Sequence, residues 1–223
     1  MSDGFLHRYF LNNGDKKSHK WIHYFDMYER HLARFRYKSP VMIEIGVFGG
    51  GSLKMWKDYL GAGSRIIGID INPVCKQYEE EGIEIFIGSQ DDPNVINQIF
   101  EKYPNIDIVL DDGSHIMNHM ITSFELMYNR VNLNGVYIVE DTHTCYWDSY
   151  GGGLKREGSF MEFVKHKLDE MNAQYTQGEL PISYFTLSTD YIACYDSVVV
   201  FERKPQGKRQ SIMTGSVLQN ASN

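Results

Sequence analysis

A chain of 223 residues, 42% hydrophobic and 23% charged, suits one globular domain with at most a small appendage. Its formal net charge of −7, with no basic stripe to offset it, argues against a nucleic-acid partner, and no apolar run is long enough to predict a membrane span. The start, Met1-Ser2-Asp3-Gly4, lacks a signal-peptide pattern, and three widely spaced cysteines (Cys75, Cys145, Cys194) point to reduced thiols in a cytoplasm.

Residues 5–38 read as helical. Trp21, Tyr24, Phe25, Tyr28 and His31 or Leu32 recur at spacings of three and four, an apolar stripe for packing on the core or on a partner subunit. Just before it, Asp15-Lys16-Ser18 suits a loop over a ligand. Val41–Gly46 is the first strand; it runs into Gly46-Val47-Phe48-Gly49-Gly50-Gly51-Ser52 and a helix over Leu53–Leu60. Arg65–Asp70 is the second strand, Glu84–Gly88 the third, and 94–103 a helix. Asp107–Asp111 is the fourth strand, 118–129 a helix, and Val136–Val139 the fifth strand. A long aromatic and glycine-bearing loop follows over Cys145–Gly158, then a helix over 159–173. Ser183–Leu187 and Ser197–Glu202 read as a closing strand pair. From Pro205 the composition is polar, and disorder is expected there. The alternation of strand and helix predicts an α/β fold, doubly wound, with a mostly parallel sheet and helices on both faces.

Two stretches carry the chemistry. Val109-Leu110-Asp111-Asp112-Gly113-Ser114-His115 and Tyr137-Ile138-Val139-Glu140-Asp141-Thr142-His143 each begin as a buried strand and break into carboxylates followed by a histidine. On neighbouring parallel strands, ~4.8 Å apart, Asp112, Glu140 and Asp141 would converge beside His115 and His143. Such an oxygen-rich set suits Mg²⁺, or Mn²⁺ or Ca²⁺, better than zinc. A second cluster lies at the first turn. Glu44-x-Gly46-x-x-x-Gly50 departs from the dinucleotide fingerprint, yet a strand, a glycine turn and a helix start make a nucleotide-binding corner. Asp70, ending strand two, is placed for ribose hydroxyls. Glu44, inside a strand, needs a donor or cation, which an ammonium on an aminoacyl nucleoside would supply.

This combination over residues 41–202 resembles the class I S-adenosylmethionine-dependent methyltransferases. The double-Asp and Glu-Asp motifs narrow the resemblance to metal-dependent sugar O-methyltransferases of macrolide and related glycosides. That family takes in cephalosporin hydroxylase-like and rhamnosyl O-methyltransferase relatives and others from surface-polysaccharide clusters. The resemblance implies a seven-stranded Rossmann-like sheet with its last strand antiparallel. It also implies S-adenosylmethionine as cofactor, contacted by Glu44, Gly46, Gly50, Ser52, Asp70, Ser89, Gln90 and Asp111. Asp112, Glu140 and Asp141 would surround Mg²⁺, with His115 as base and His143 as the alternative. Residues 1–38 become a lid or oligomer contact (a homodimer or homotetramer), 39–204 the methyltransferase domain, and 205–223 the tail.

A sugar hydroxyl is a poor nucleophile at neutral pH, and a divalent ion and a histidine base answer that weakness. The loop aromatics Tyr146, Trp147 and Tyr150 suit stacking on a sugar face or packing as a lid. One competing reading is a non-haem iron oxygenase using Asp112-x-x-His115-x-x-x-His119. The others are a nicotinamide-dependent oxidoreductase and a non-catalytic nucleotide-binding module.

Overall fold

Seven strands, β1 (Val41–Ile45), β2 (Arg65–Asp70), β3 (Ile83–Ile87), β4 (Ile106–Asp111), β5 (Val131–Val139), β6 (Thr189–Tyr195) and β7 (Val198–Arg203), pair into one sheet of order 3-2-1-4-5-7-6 in the computed structural model, which describes residues 4–207 and 209–215. β1 to β5 run parallel, and β7 pairs antiparallel with both β5 and β6. The chain order reverses between β1 and β4, so a crevice opens beyond the carboxyl ends of those strands.

Strand parity sorts the core into two layers. On one face, Met42, Ile66, Ile108, Leu110 and Ile138 meet α1 (Phe5–Leu11), α2 (Tyr24–Leu32) and α3 (Gly51–Leu60). On the other, Ile43, Ile45, Ile67, Ile69, Val109 and Val139 meet α4 (Pro93–Lys102), α5 (Met117–Met127), α6 (Phe160–Met171) and α7 (Tyr184–Ser188).

The N-terminal region departs from the expected continuous helix. Residues 12–23 form a connection between α1 and α2, and its carbonyls at Lys16 and Lys17 press on Gly49 and Gly51. The aromatic stripe of α2 is buried: Tyr24, Phe25 and Tyr28 face this chain's own sheet, while Trp21 lies outside the helix and is exposed. The stripe therefore gives no support to a subunit contact. The closing strand pair also shifts. Residues 184–188 are the helix α7, because Ser183 and Thr186 form a reciprocal capping box at its start, and the hairpin is β6–β7. No helix among the described residues is long and apolar enough to cross a membrane. Of the expected disordered tail, residues 205–215 except 208 carry neither helix nor strand, and the rest lies outside the described residues.

Candidate active site

Parity also places the acids. Met42, Leu110 and Ile138 face the α1–α3 layer; Glu44, Asp112 and Glu140 each come two residues later and so point the same way. The extended pairing carries on past the strand ends, with Asp112 N–H donating to the Ile45 carbonyl and Glu140 N–H to that of Asp111. Three carboxylates from three adjacent strands thus meet above one face.

Between them sits a group the sequence reading missed. The Lys20 ammonium donates to Asp112 Oδ2 at 2.6 Å, Glu140 Oε2 at 3.0 Å and Glu44 Oε1 at 3.5 Å. The side chains of Lys20, Glu44 and Glu140 are 2%, 0% and 1% exposed. Glu44 also accepts from Ser52 Oγ (2.8 Å) and Trp56 Nε1 (3.0 Å). The cation that this strand glutamate requires therefore comes from the chain itself, not from a ligand ammonium, and Glu44 and Ser52 belong to a closed network. Glu140 Oε1 takes the Tyr28 hydroxyl at 2.5 Å, and Asp141 Oδ1 the Tyr24 hydroxyl at 2.6 Å, so α2 braces both acids.

Burial sets the electrostatics. It pushes Glu44 up and Glu140 up to about 8, despite the pull of Lys20 on each. Burial would by itself lower Lys20, but Asp112, Glu140 and Glu44 hold its ammonium well above the usual lysine range.

On the solvent side of this network, Asp112, His115 and Asp141 offer ligand atoms that all lie within 4.8 Å of one another. His115 Nε2 is 3.7 Å from Asp112 Oδ1 and 3.6 Å from Asp141 Oδ2. Both His115 (φ 57°) and Asp141 (φ 53°) sit in left-handed backbone, a conformation non-glycine residues adopt at a cost and often at functional sites. Glu140, expected in the same ligand set, lies just behind it with its oxygens turned to Lys20 and Tyr28. His143 is set further out, its Nδ1 2.6 Å from Ser197 Oγ and 4.0 Å from Asp141 Oδ1. His119 turns to Ser114 Oγ (2.9 Å) and Asp91 (3.6 Å) instead of joining His115, so the iron-type triad does not assemble.

A cavity of about 420 Å³ runs from Asp112, His115 and Asp141 to Gly46 and Asp70. A second, of about 200 Å³, continues from Gly46 and Asp70 to Ser89, Gln90 and Gly113. Gly46 (φ 93°) is glycine for a reason: any Cβ there would run into the Asp112 carbonyl. Asp70 Oδ2 accepts from the Val47 and Phe48 N–H groups at 2.9 and 3.1 Å, tying strand two to the first turn. Gln90 and Asp111 form a buried pair on the opposite face. Gln90 Nε2 donates to both Asp111 oxygens at 3.1 Å, Ser123 Oγ donates at 2.8 Å, and Gln90 Oε1 accepts from Ser114 N–H. Burial raises Asp111 to about 7 against those hydrogen bonds. Ser89 Oγ bonds Asp91. The glycine turn is closed where an open anion corner was expected. The Gly51 N–H donates to the Lys17 carbonyl at 3.1 Å, and a Cβ on Gly50 would meet the Tyr78 ring.

Comparison with known proteins places the chain in a family. The family model for rhamnosyl O-methyltransferase/CmcI matches residues 21–147. Demethylmacrocin O-methyltransferase of Streptomyces fradiae is 36% identical over 175 residues, covering 73% of this chain and 43% of its own. L-olivosyl-oleandolide 3-O-methyltransferase of Streptomyces antibioticus is 38% identical over 191 residues, 79% of this chain and 47% of its own. Among solved structures, the MycE methyltransferase of mycinamycin biosynthesis, in complex with Mg, SAH and mycinamycin VI, superposes with a TM-score of 0.76 at 31% identity. The match covers 83% of this chain and 50% of that one. The chain spans about half the length of the curated relatives it matches. It belongs to the rhamnosyl O-methyltransferase/CmcI family.

Proposed function

We propose that this chain is an O-methyltransferase that moves the methyl group of S-adenosylmethionine to a sugar hydroxyl, on a glycoside natural product or a surface-polysaccharide precursor, with help from a divalent cation. The observation that carries the reading is the grouping of Asp112, His115 and Asp141 at one end of a cavity whose other end is Asp70. The donor set fits a hard ion such as Mg²⁺: carboxylate oxygens predominate and no thiol is among them. Asp112 and Asp141 would hold it, with Glu140, the third acid expected from the sequence, set behind them on Lys20 and Tyr28. Bound there, the ion would stabilise the acceptor oxyanion by several kcal/mol.

The chain's own residues do the rest. Asp70, Gly46, Ser89 and Gln90 line the end of the crevice suited to the adenosine portion of the cofactor. His115 Nε2 is the group placed to take the hydroxyl proton as the new oxygen–carbon bond forms and the carbon–sulfur bond breaks, a role worth ~10²–10⁴-fold. Trp21 and Trp147, each about half exposed, flank His143 with ring centroids at 5.9 and 4.7 Å and offer flat faces to a sugar ring. The three unpaired thiols suit a cytoplasmic setting. As a homo-oligomer, dimer or tetramer, the protein would use a surface other than the buried face of α2.

An activity screen with labelled S-adenosylmethionine against nucleotide-sugars and glycosides, with and without EDTA, tests this reading. Label transfer that EDTA stops is the expected result. Turnover indifferent to EDTA, or dependence on oxygen and 2-oxoglutarate, would overturn it.

A further inference from the structure

Lys20 is a buried cation that no part of the proposed reaction yet uses. Its ammonium has three donors, and three carboxylate oxygens accept them. One ammonium thus serves three carboxyl groups, those of Glu44, Asp112 and Glu140. Buried carboxyl groups that outnumber their cation either take up protons or draw in further positive charge. Asp112 divides its two oxygens in a telling way. Oδ2 is held by Lys20, while Oδ1 faces His115 in the open group with Asp141.

We propose that Lys20 is the resident cation of a two-cation site: it stays in place when a divalent ion binds on the outer side of Asp112, shares that carboxylate with it, and fixes Asp112 and Glu140 as a positioning residue. This rests on the metal-assisted reading above. Displacement of Lys20 by the incoming ion is the competing arrangement, and Glu44 argues against it. Without Lys20, that fully buried carboxylate would keep only the neutral donors Ser52 and Trp56. The divalent ion would approach from the cavity, on the far side of Asp112, and could not replace the ammonium at Glu44.

Two measurements on the full chain decide it. The first is lysine acylation followed by peptide mass mapping, in EDTA and in saturating Mg²⁺. Lys20 should react more than about tenfold slower than the exposed Lys38 and Lys155 in both conditions. Faster labelling of Lys20 once Mg²⁺ is added would overturn the proposal in favour of displacement. The second is thermal unfolding of wild type, Lys20→Met and Lys20→Arg with and without Mg²⁺. Lys20→Met should unfold at lower temperature without metal, and Mg²⁺ should raise its Tm by roughly 3–8 °C more than it raises wild type. Lys20→Arg should return the increment toward the wild-type value. A purely structural lysine would lower Tm equally with and without Mg²⁺, and that result removes the role of Lys20 alone. A wild type whose Tm ignores Mg²⁺, Mn²⁺ and Ca²⁺ removes the metal-assisted reading as well. Should Lys20→Met fail to fold in either buffer, the labelling and Lys20→Arg still decide.

Discussion

Two nests of buried carboxylate lie along the same helix, and they are built on opposite principles. At the C-terminal end of α2, Glu202 accepts from His31 Nδ1 at 2.7 Å and from Arg34 at 2.9 and 2.5 Å, while His31 Nε2 meets the Tyr195 hydroxyl. Burial would raise Glu202, yet His31 and Arg34 bring it below the usual glutamate range. At the N-terminal end, Tyr24 and Tyr28 brace Asp141 and Glu140, and one ammonium serves three acids whose buried members are pushed upward. The Glu202 nest holds a helix against β7. The Lys20 nest sets three carboxyl groups against one ammonium, and burial favours the protonated forms of Glu44 and Glu140, as is common where a site tunes its acids.

The sharpest way to break that contrast is to remove one acid from each nest and measure activity. Asp141→Ala and His115→Ala should abolish turnover, with losses of ~10²-fold or more, while calorimetry still shows cofactor binding. Glu202→Gln should keep turnover within a few-fold below its unfolding temperature. Loss of cofactor binding in Asp141→Ala or His115→Ala would contradict the roles assigned to them. Asp70→Ala should behave in reverse and weaken the cofactor most, both through the ribose and because the Val47 and Phe48 N–H groups lose their acceptor.

Stability sharpens the comparison next. Glu202→Gln leaves His31 and Arg34 without their carboxylate and should cost about 1–3 kcal/mol in urea unfolding, toward the low end because Arg34 is partly solvated. Glu44→Gln in metal-free buffer should cost less than that or stabilise, since it relieves an excess of negative charge. Equal losses in the two variants would mean that the nests are alike.

Much of this was legible in the chain. Apolar runs ending in acids at Asp112 and at Glu140-Asp141 place those groups at adjacent strand ends, because parallel pairing and two-residue parity leave little choice. The parallel run of β1 to β5 follows from strand–helix alternation, whereas the antiparallel last strand was implied by the family resemblance alone. Lys20 was not legible, since a lysine in the polar stretch Lys16–Lys20 reads as solvated; the one clue was Glu44, a strand carboxylate in need of a cation. Tyr24 and Tyr28 read as packing, and only their depth in the fold shows that their hydroxyls reach the acids. Residues 184–188 have strand-like composition, but a two-residue capping exchange tips them into helix.

The smallest expected effect is a pH dependence whose two limbs belong to the two nests. Glu44 and Glu140, and Asp111 on the opposite face of the sheet, have folded values above their unfolded ones, so the stability they contribute is complete below ordinary carboxylate values and is lost as pH rises toward about 7 for Asp111 and about 8 for Glu140. Glu202 has the opposite sign: its contribution is complete above the usual glutamate value and is lost as pH falls through its depressed folded value. In EDTA, wild-type Tm should therefore decline by roughly 2–5 °C between about pH 5 and pH 8. Saturating Mg²⁺ should flatten that decline, because the ion stabilises the charged form of the same acids. Glu202→Gln should leave the alkaline limb intact and soften only the loss on the acid side. A metal-free Tm that holds level or climbs from pH 5 to pH 8 would show that the acids of the Lys20 nest ionise as readily in the folded chain as in the unfolded one, and the contrast between the two ends of α2 would disappear.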